Sequence, residues 1–291
     1  MFEGFKLEMI QTAEATIRVR HGGSGPPVLL LHGHPQTHFM WHKLAPLLAS
    51  EFTVVATDLR GYGQSSKPRS TPDHEPYSKR AMARDQLAVM QKLGFDRFAI
   101  VGHDRGGRCA YRMALDFPGN VDKLAVLDIV PTFEAFRRTD MNFAMAYWHW
   151  FFMAQPFDLP EHLISEDPEW YFRHRKGPHV TPPFDADAEK DYLEAYLKPE
   201  TRHAMCEDYR AGATIDYSLD ETDYRAGRKI RCPLLVLWAA QGDLGNLYDV
   251  LKVWREWCSS SLKGSALQCG HYLAEEAPAE TYSALRRFLA A

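Results

Sequence analysis

Short apolar runs bounded by turn-forming residues recur along the chain at Val28 to Leu31, Thr53 to Thr57, Phe98 to Gly102, Leu124 to Asp128 and Leu234 to Trp238. Between them, stretches near Lys79 to Leu93 and Gly107 to Phe117 carry apolar residues at helical spacing. Strands that alternate with helices predict an α/β fold with a mostly parallel, doubly wound sheet, because parallel neighbours need a crossover and helices are the usual one. Phe5 to Met9 and Thr16 to Arg20 read as an antiparallel edge hairpin, and a last helix is expected over about Pro278 to Leu289, with proline in its first turn. The alternation stops between Thr132 and about Thr222, where the pattern becomes helical and nearly half of the chain's aromatic residues gather. This predicts a helical cap domain over 132–222, inserted into a core domain made of 1–131 and 223–291. Most of the cap's rings are expected to pack its own small core, with a few facing the cleft.

Composition narrows the class. The chain has 291 residues, 45% of them hydrophobic and 25% charged, with no repeat or low-complexity tract, which excludes fibrous and disordered proteins. Its 34 basic and 38 acidic residues leave a net charge of -4 without a basic stripe, so nucleic acid is not an expected partner. Neither a signal-like N-terminus nor a membrane-spanning apolar run is present, and a cytoplasmic protein that does not engage membranes is expected. Five cysteines without a C-x-x-C pair predict free, mainly structural thiols rather than a disulfide framework or a zinc site.

The chemistry concentrates after the third of these runs. Phe98-Ala-Ile-Val101 leads into Gly102-His-Asp104-Arg-Gly-Gly107 and then a helical pattern, the strand–turn–helix context of a nucleophile elbow with Asp104 in the nucleophile's place. Small residues flank it because the turn is sharp; the competing structural role is an N-cap aspartate. A carboxylate attacking an acyl carbon would yield an unproductive anhydride. Attack on a saturated carbon displaces a halide or opens an epoxide and leaves an alkyl ester, which water must then hydrolyse. That second step needs a base, an acid to orient it and an oxyanion hole. His271 stands where a hydrolase of this type places its base, and Asp128 ends the strand beside the elbow. Asp243, after the following strand, is the rival acid; spacing favours Asp128. The backbone N–H groups of His34 and Arg105 are the expected hole. His32, His34, His38 and His42 have the look of metal ligands, but a loop and helix after the first parallel strand account for them, so no metal is expected.

These residues carry a resemblance that runs over nearly the whole chain. Leu31-His-Gly-His-Pro-Gln36, Asp58-Leu-Arg-Gly-Tyr-Gly63 with Ser65-Ser-Lys-Pro68, Gly102-His-Asp-Arg-Gly-Gly-Arg108, Leu127-Asp-Ile-Val-Pro131, Tyr147-Trp-His-Trp150 and Asp208-Tyr-Arg-Ala-Gly212 resemble the fluoroacetate (haloacetate) dehalogenases of the α/β-hydrolase superfamily. The first two motifs are shared with epoxide hydrolases; the set Arg105, Arg108, His149, Trp150 and Tyr209 around an aspartate is narrower. The resemblance implies a catalytic triad of Asp104, Asp128 and His271, with Arg105 and Arg108 clamping a substrate carboxylate. It also implies halide donors at His149, Trp150 and Tyr209, no cofactor, a small 2-haloacid and water as partners, and a homodimer. Ion pairing is the ordinary role of an early-helix arginine, and cap packing that of Trp150. The family pattern usually has Phe after His-Gly, where this chain has His34, which bears on substrate shape or pH profile.

Other functions remain to be weighed. An epoxide hydrolase would use two cap tyrosines, for which Tyr147 and Tyr209 are available, but would leave the arginine pair without a purpose. A haloalkane dehalogenase usually places Trp directly after its aspartate, where Arg105 stands. A non-catalytic receptor of the same fold would tolerate a broken triad, and here all three members are present.

Overall fold

The computed structural model describes residues 1–174 and 183–291. Eight strands form one sheet in the order β1-β2-β4-β3-β5-β6-β7-β8: β1 Lys6–Gln11, β2 Thr16–Gly22, β3 Pro27–Leu31, β4 Thr53–Thr57, β5 Phe98–His103, β6 Val121–Leu127, β7 Leu234–Ala239 and β8 Leu262–Leu267. β1 pairs antiparallel with β2, and β2 with β4; the other neighbours are parallel. The parallel strands are continuous apolar runs because helices cover both faces of the sheet. β5 is buried along its whole length.

Two elements depart from the sequence reading. The helix after β5 runs Asp104–Asp116 and so begins at the proposed nucleophile, three residues before the expected start at Gly107. The glycines there read as a longer turn, but the reversal is completed by Asp104 alone, at φ 48°. β8 was absent from the apolar runs because it is an edge strand, half exposed and interrupted by Gly264. The edge hairpin and the helices Lys79–Lys92 and Pro278–Ala290 match their expected positions to within a few residues.

Strand order reverses between β3 and β5: successive strands run outward to β4 on one side and to β6, β7 and β8 on the other. Such a switch point opens a crevice at the carboxyl ends of the strands. Between β6 and β7 the chain leaves the sheet and builds helices, among them Trp148–Met153, Ala186–Tyr196, Pro199–Ala211 and Tyr217–Arg225. Asp140 and Asp185 accept backbone N–H groups at the starts of Met141–Ala146 and Ala186–Tyr196. Buried ion pairs dock this insertion onto the sheet domain: Arg112 of the helix after β5 binds Asp220 and Asp223, both at 2.5 Å.

The elbow depends on the absence of side chains. A Cβ on Gly106 would lie 2.4 Å from the His32 carbonyl oxygen and 2.6 Å from the Leu31 carbonyl carbon, both backbone atoms of the β3 end that cannot rotate away. Gly106→Ala is therefore expected to destabilise the fold by about 3 kcal/mol through overpacking against the backbone. Urea unfolding measures this; a loss below about 1 kcal/mol would show that the elbow is looser than this packing requires.

Candidate active site

A cavity of about 500 Å³ opens at the carboxyl ends of the central strands and runs beneath the helical insertion. Asp104 and His34 line it beside Asp128 and His271, opposite Tyr147, His149, Trp150 and Tyr209 from the insertion. The sequence places these residues far apart. They meet because β3, β5, β6, β7 and β8 are consecutive parallel strands whose carboxyl ends lie along one edge of the sheet.

Asp104 is held at one end of its carboxylate and faces His271 with the other. Oδ1 accepts the His34 backbone N–H at 2.9 Å, and Oδ2 lies 4.0 Å from His271 Nε2. A Cβ on Gly33 would fall 2.6 Å from that of Asp104, so glycine is what permits the His34 loop to approach. His271 Nδ1 contacts Asp128 Oδ2 at 2.6 Å, and Asp128 Oδ1 accepts the Ala239 N–H at 2.9 Å. Asp128 also has a positive φ, 55°, which turns its carboxylate from the end of β6 across β7. Asp243 lines the cavity as well, but the carboxylate in contact with His271 is that of Asp128.

Electrostatics favour a charged Asp104 and a neutral His103 below it. Burial raises the Asp104 carboxyl, but His271, Arg105 and the His34 N–H outweigh burial and hold it well below the usual carboxylate range. His103, fully buried with Nε2 at 2.8 Å from the His271 carbonyl oxygen, is lowered to about 3 by burial and by its neighbour His271.

The two arginines occupy unequal places, and neither lines the cavity. Arg105 gives Nε and Nη2 to the Asp208 carboxylate, each at 2.8 Å, and Nη2 also reaches the Asp208 carbonyl oxygen. Asp208 further accepts the Tyr62 hydroxyl at 2.7 Å and the Lys79 ammonium. One edge of the expected clamp is thus taken, leaving Nη1 outside that pair. Arg108 gives Nη1 to the Val130 carbonyl oxygen at 3.0 Å and the Thr132 hydroxyl at 3.2 Å, while among the described residues its buried Nε has no hydrogen-bond partner. Its guanidinium lies 4.3 Å from the centre of the Trp150 ring. Among the described residues no carboxylate pairs with it. Arg105 likewise stacks on Tyr209, at 4.3 Å. The rings of His149, Trp150 and Tyr209 form one cluster, with Tyr209 5.9 Å from His149 and 6.3 Å from Trp150. Of the two expected oxyanion donors, only the His34 N–H contacts Asp104 in this state.

Sequence reasoning missed Asp208 as the hub of this network, although it stood in a quoted motif. A buried aspartate on an amphipathic helix looks like any solvated one until its partners are known. Nor was there a signal for the π-helical turn Gly212–Asp216 that follows Tyr209 on the same helix. Three of the four histidines after β3 make structural contacts: His32 Nε2 accepts the Leu59 N–H, His38 Nδ1 contacts Asp58, and His42 Nδ1 contacts the Phe39 carbonyl oxygen, while His34 lines the cavity. Among the described residues no three His, Cys, Asp or Glu side chains gather as a metal site would require.

Comparison with known proteins agrees with this fold. Residues 26–278 match the family model described as the alpha/beta hydrolase fold. The chain belongs to that family. It is 46% identical to a fluoroacetate dehalogenase of Burkholderia sp, over 99% of this chain and 95% of the relative. It is 32% identical to a soluble epoxide hydrolase of Corynebacterium sp. (strain C12), over 92% and 91%. The solved structure of a protein from Nostoc sp PCC 7120 assigned to the α/β hydrolases superposes with a TM-score of 0.96 at 54% identity, covering 99% of both chains. Among the described residues no helix is long and apolar enough to cross a membrane.

The neutral His103 has a consequence for acid stability in this α/β hydrolase. Its folded value of about 3 lies below the ordinary 6.5, so the unfolded chain takes up a proton first as pH falls. The stability it contributes is present above 6.5 and is lost progressively toward 3. His103→Gln should flatten the fall of unfolding free energy between pH 6.5 and 4 in guanidinium titrations; an unchanged slope would mean that His103 is not the group responsible.

Proposed function

We propose that this protein is a hydrolase acting on carbon–halide bonds, a haloacetate dehalogenase that converts a short 2-haloacid to the 2-hydroxyacid, with fluoroacetate the leading candidate substrate. The observation that carries the reading is Arg108. Among the described residues its buried guanidinium has no carboxylate partner, which is costly, and one turn of helix beyond a nucleophile this is explained by an anionic substrate that supplies the missing charge. The relative named for fluoroacetate supports the same reading.

In the first step, Oδ2 of Asp104 attacks the carbon bearing the halogen from the side opposite the halide, and the carbon–halogen bond breaks as the ester bond forms. Arg108, with Nη1 of Arg105, is assigned to the substrate carboxylate, which must reach past the Trp150 and Tyr209 rings because neither guanidinium lines the cavity here. His149, the Trp150 indole N–H and the Tyr209 hydroxyl receive the halide, replacing water where charge develops. In the second step a water gives a proton to His271 Nε2 and adds to the Asp104 carboxyl carbon. The distance of 4.0 Å between that nitrogen and Oδ2 is too long for a direct bond and suits a base that acts through water. Negative charge then settles on Oδ1, which already accepts the His34 N–H. Collapse releases the hydroxyacid with the former Oδ2, returns the proton from His271, and leaves the oxygen of water on the enzyme. Asp128 orients the imidazole and balances its charge. The helical insertion acts as the cap, and the reading carries with it a cytoplasmic homodimer.

One observation favours an epoxide hydrolase: Tyr147 and Tyr209 both line the cavity and could donate to an epoxide oxygen. Side-by-side turnover of fluoroacetate, chloroacetate and a styrene-type epoxide decides between the two. Halide release from the acids alone is expected; turnover of the epoxide alone would replace the first reading with the second. In the same assay His271→Asn should stall as a carboxymethyl ester on Asp104, visible as a mass increase of the intact chain. An unmodified protein that releases no halide in a single turnover would count against the two-step route.

The arginine assignment is tested separately. A charge-assisted contact contributes roughly 1.5–3 kcal/mol, so Arg108→Lys should cost about ten- to a hundredfold in kcat/KM for chloroacetate. Chloroacetamide should be a poor substrate for the wild type. Equal rates on the acid and the amide would remove Arg108 from the carboxylate site.

A further inference from the structure

The turn that follows His271 is tied down from two directions. Glu276 accepts the N–H groups of Gly270 at 2.7 Å and Tyr272 at 2.8 Å, on either side of His271. Glu275, only 3% exposed, reaches away from that turn. Its Oε2 meets Gln36 Nε2 at 2.6 Å, and its Oε1 accepts the Tyr192 hydroxyl at 3.0 Å. Gln36 belongs to the loop that presents the His34 N–H to Asp104, and its own N–H donates to the Gly33 carbonyl oxygen at 2.9 Å. Tyr192 lies on Ala186–Tyr196 of the insertion. One carboxyl therefore joins the loop of the base, the loop of the oxyanion donor and the helical insertion.

Among the described residues no cation pairs with that carboxyl. Lys43 Nζ donates instead to the Glu275 backbone carbonyl oxygen at 3.0 Å, and among the described residues Glu275 takes part in no ion pair. Burial of an unpaired carboxylate favours its neutral form. The 2.6 Å contact to Gln36 is short for N–H···O and ordinary for O–H···O, the bond that a protonated carboxyl makes to an amide oxygen, and a half-turn of the amide presents that oxygen. We propose that Glu275 is a positioning residue that works as the neutral acid, holding the His271 turn, the Gly33–Gln36 loop and the helix Ala186–Tyr196 in one register, and that its ionisation releases them.

Burial pushes the Glu275 acid up to about 8, against the lowering pulls of Tyr192, Lys43 and Gln36. The charged and titratable groups on the elements packed around it include His38, His42 and Lys43 after β3, Asp191 and Tyr192 on the insertion, Glu276 on its own turn and Glu280 on the final helix. Of these, Tyr192 and Lys43 hydrogen-bond to Glu275; His38 is engaged by Asp58, and Asp191 by Arg18 and Thr37.

The test compares wild type, Glu275→Gln and Tyr192→Phe. Its activity arm rests on the haloacid reading and follows kcat with chloroacetate from pH 6.5 to 9.5; its stability arm follows the melting temperature from pH 4 to 9 and does not depend on that reading. For one group near 8, wild-type kcat should fall about twofold by pH 8 and about tenfold by pH 9. Glu275→Gln, which keeps the neutral shape, should lose that limb. Tyr192→Phe removes a hydroxyl that favours the carboxylate and should move the limb to higher pH. In melting, a folded value above the ordinary 4.5 means that wild-type stability is complete below 4.5 and falls until about 8; Glu275→Gln should lack that fall. An alkaline limb identical in wild type and Glu275→Gln would overturn the proposal, as would identical melting slopes. If Glu275→Gln does not fold, an unmoved limb in Tyr192→Phe overturns it. If no haloacid is turned over, the haloacid reading fails and the melting slopes alone decide on Glu275.

Discussion

The constraint on which the site depends is the reversal at Asp104. A side chain at φ 48° pays a steric penalty that only the surrounding packing can hold in place. The return is position: the carboxylate stands at the end of the most deeply buried strand, at the first residue of a helix, directly facing the loop from the neighbouring strand. Gly33 and Gly106 are the two places where this approach leaves no room for a Cβ. The partial positive charge at the helix start adds to the same effect. The other residues of the site are placed relative to this atom pair. His34 reaches one oxygen and His271 faces the other.

Around this point the protein buries an unusual number of charges and neutralises almost all of them. Asp208 gathers Arg105, Lys79 and Tyr62, Arg60 is matched by Asp85, and Arg112 by Asp220 and Asp223. Such pairs add little net stability, because desolvation consumes most of the attraction, yet breaking one is expensive. Their value lies in specifying geometry. Asp208 and Asp220 belong to the insertion and their arginines to the helix that begins at Asp104, so the pairs set how the two parts meet. Against this background Arg108 stands out as a guanidinium with carbonyl and hydroxyl partners only.

The His271 side of the site is organised by hydrogen bonds to its backbone instead. His103 supports the His271 carbonyl, and Glu276 braces the backbone around His271. A mobile imidazole would lose its alignment with Asp128, and alignment within a few tenths of an ångström is what a general base requires.

Much of this was legible in the chain itself. Apolar runs between helical stretches were sufficient for a mostly parallel sheet, because a strand covered on both faces has no polar side to show. The Gly102–Gly107 elbow stood out because sharp turns need small residues at fixed spacing, and it marked Asp104 without knowledge of its partners. The segment between β6 and β7 announced a change of architecture by its aromatic content. What the residues could not disclose was pairing. Whether Arg105 was free to bind an anion depended on Asp208, more than a hundred positions away, and the choice of Asp128 over Asp243 depended on which carboxylate the folded chain brings to His271. The edge strand Leu262–Leu267 was hidden because half-exposed strands lack a continuous apolar run. Nothing in the sequence distinguishes Glu275 from Glu276, and only the packing of Gln36 and Tyr192 against the first separates a buried acid from a backbone brace. Local pattern follows from a residue's own neighbours in the chain; the charge state and partner of a buried group follow from neighbours in space, which only the assembled tertiary structure decides.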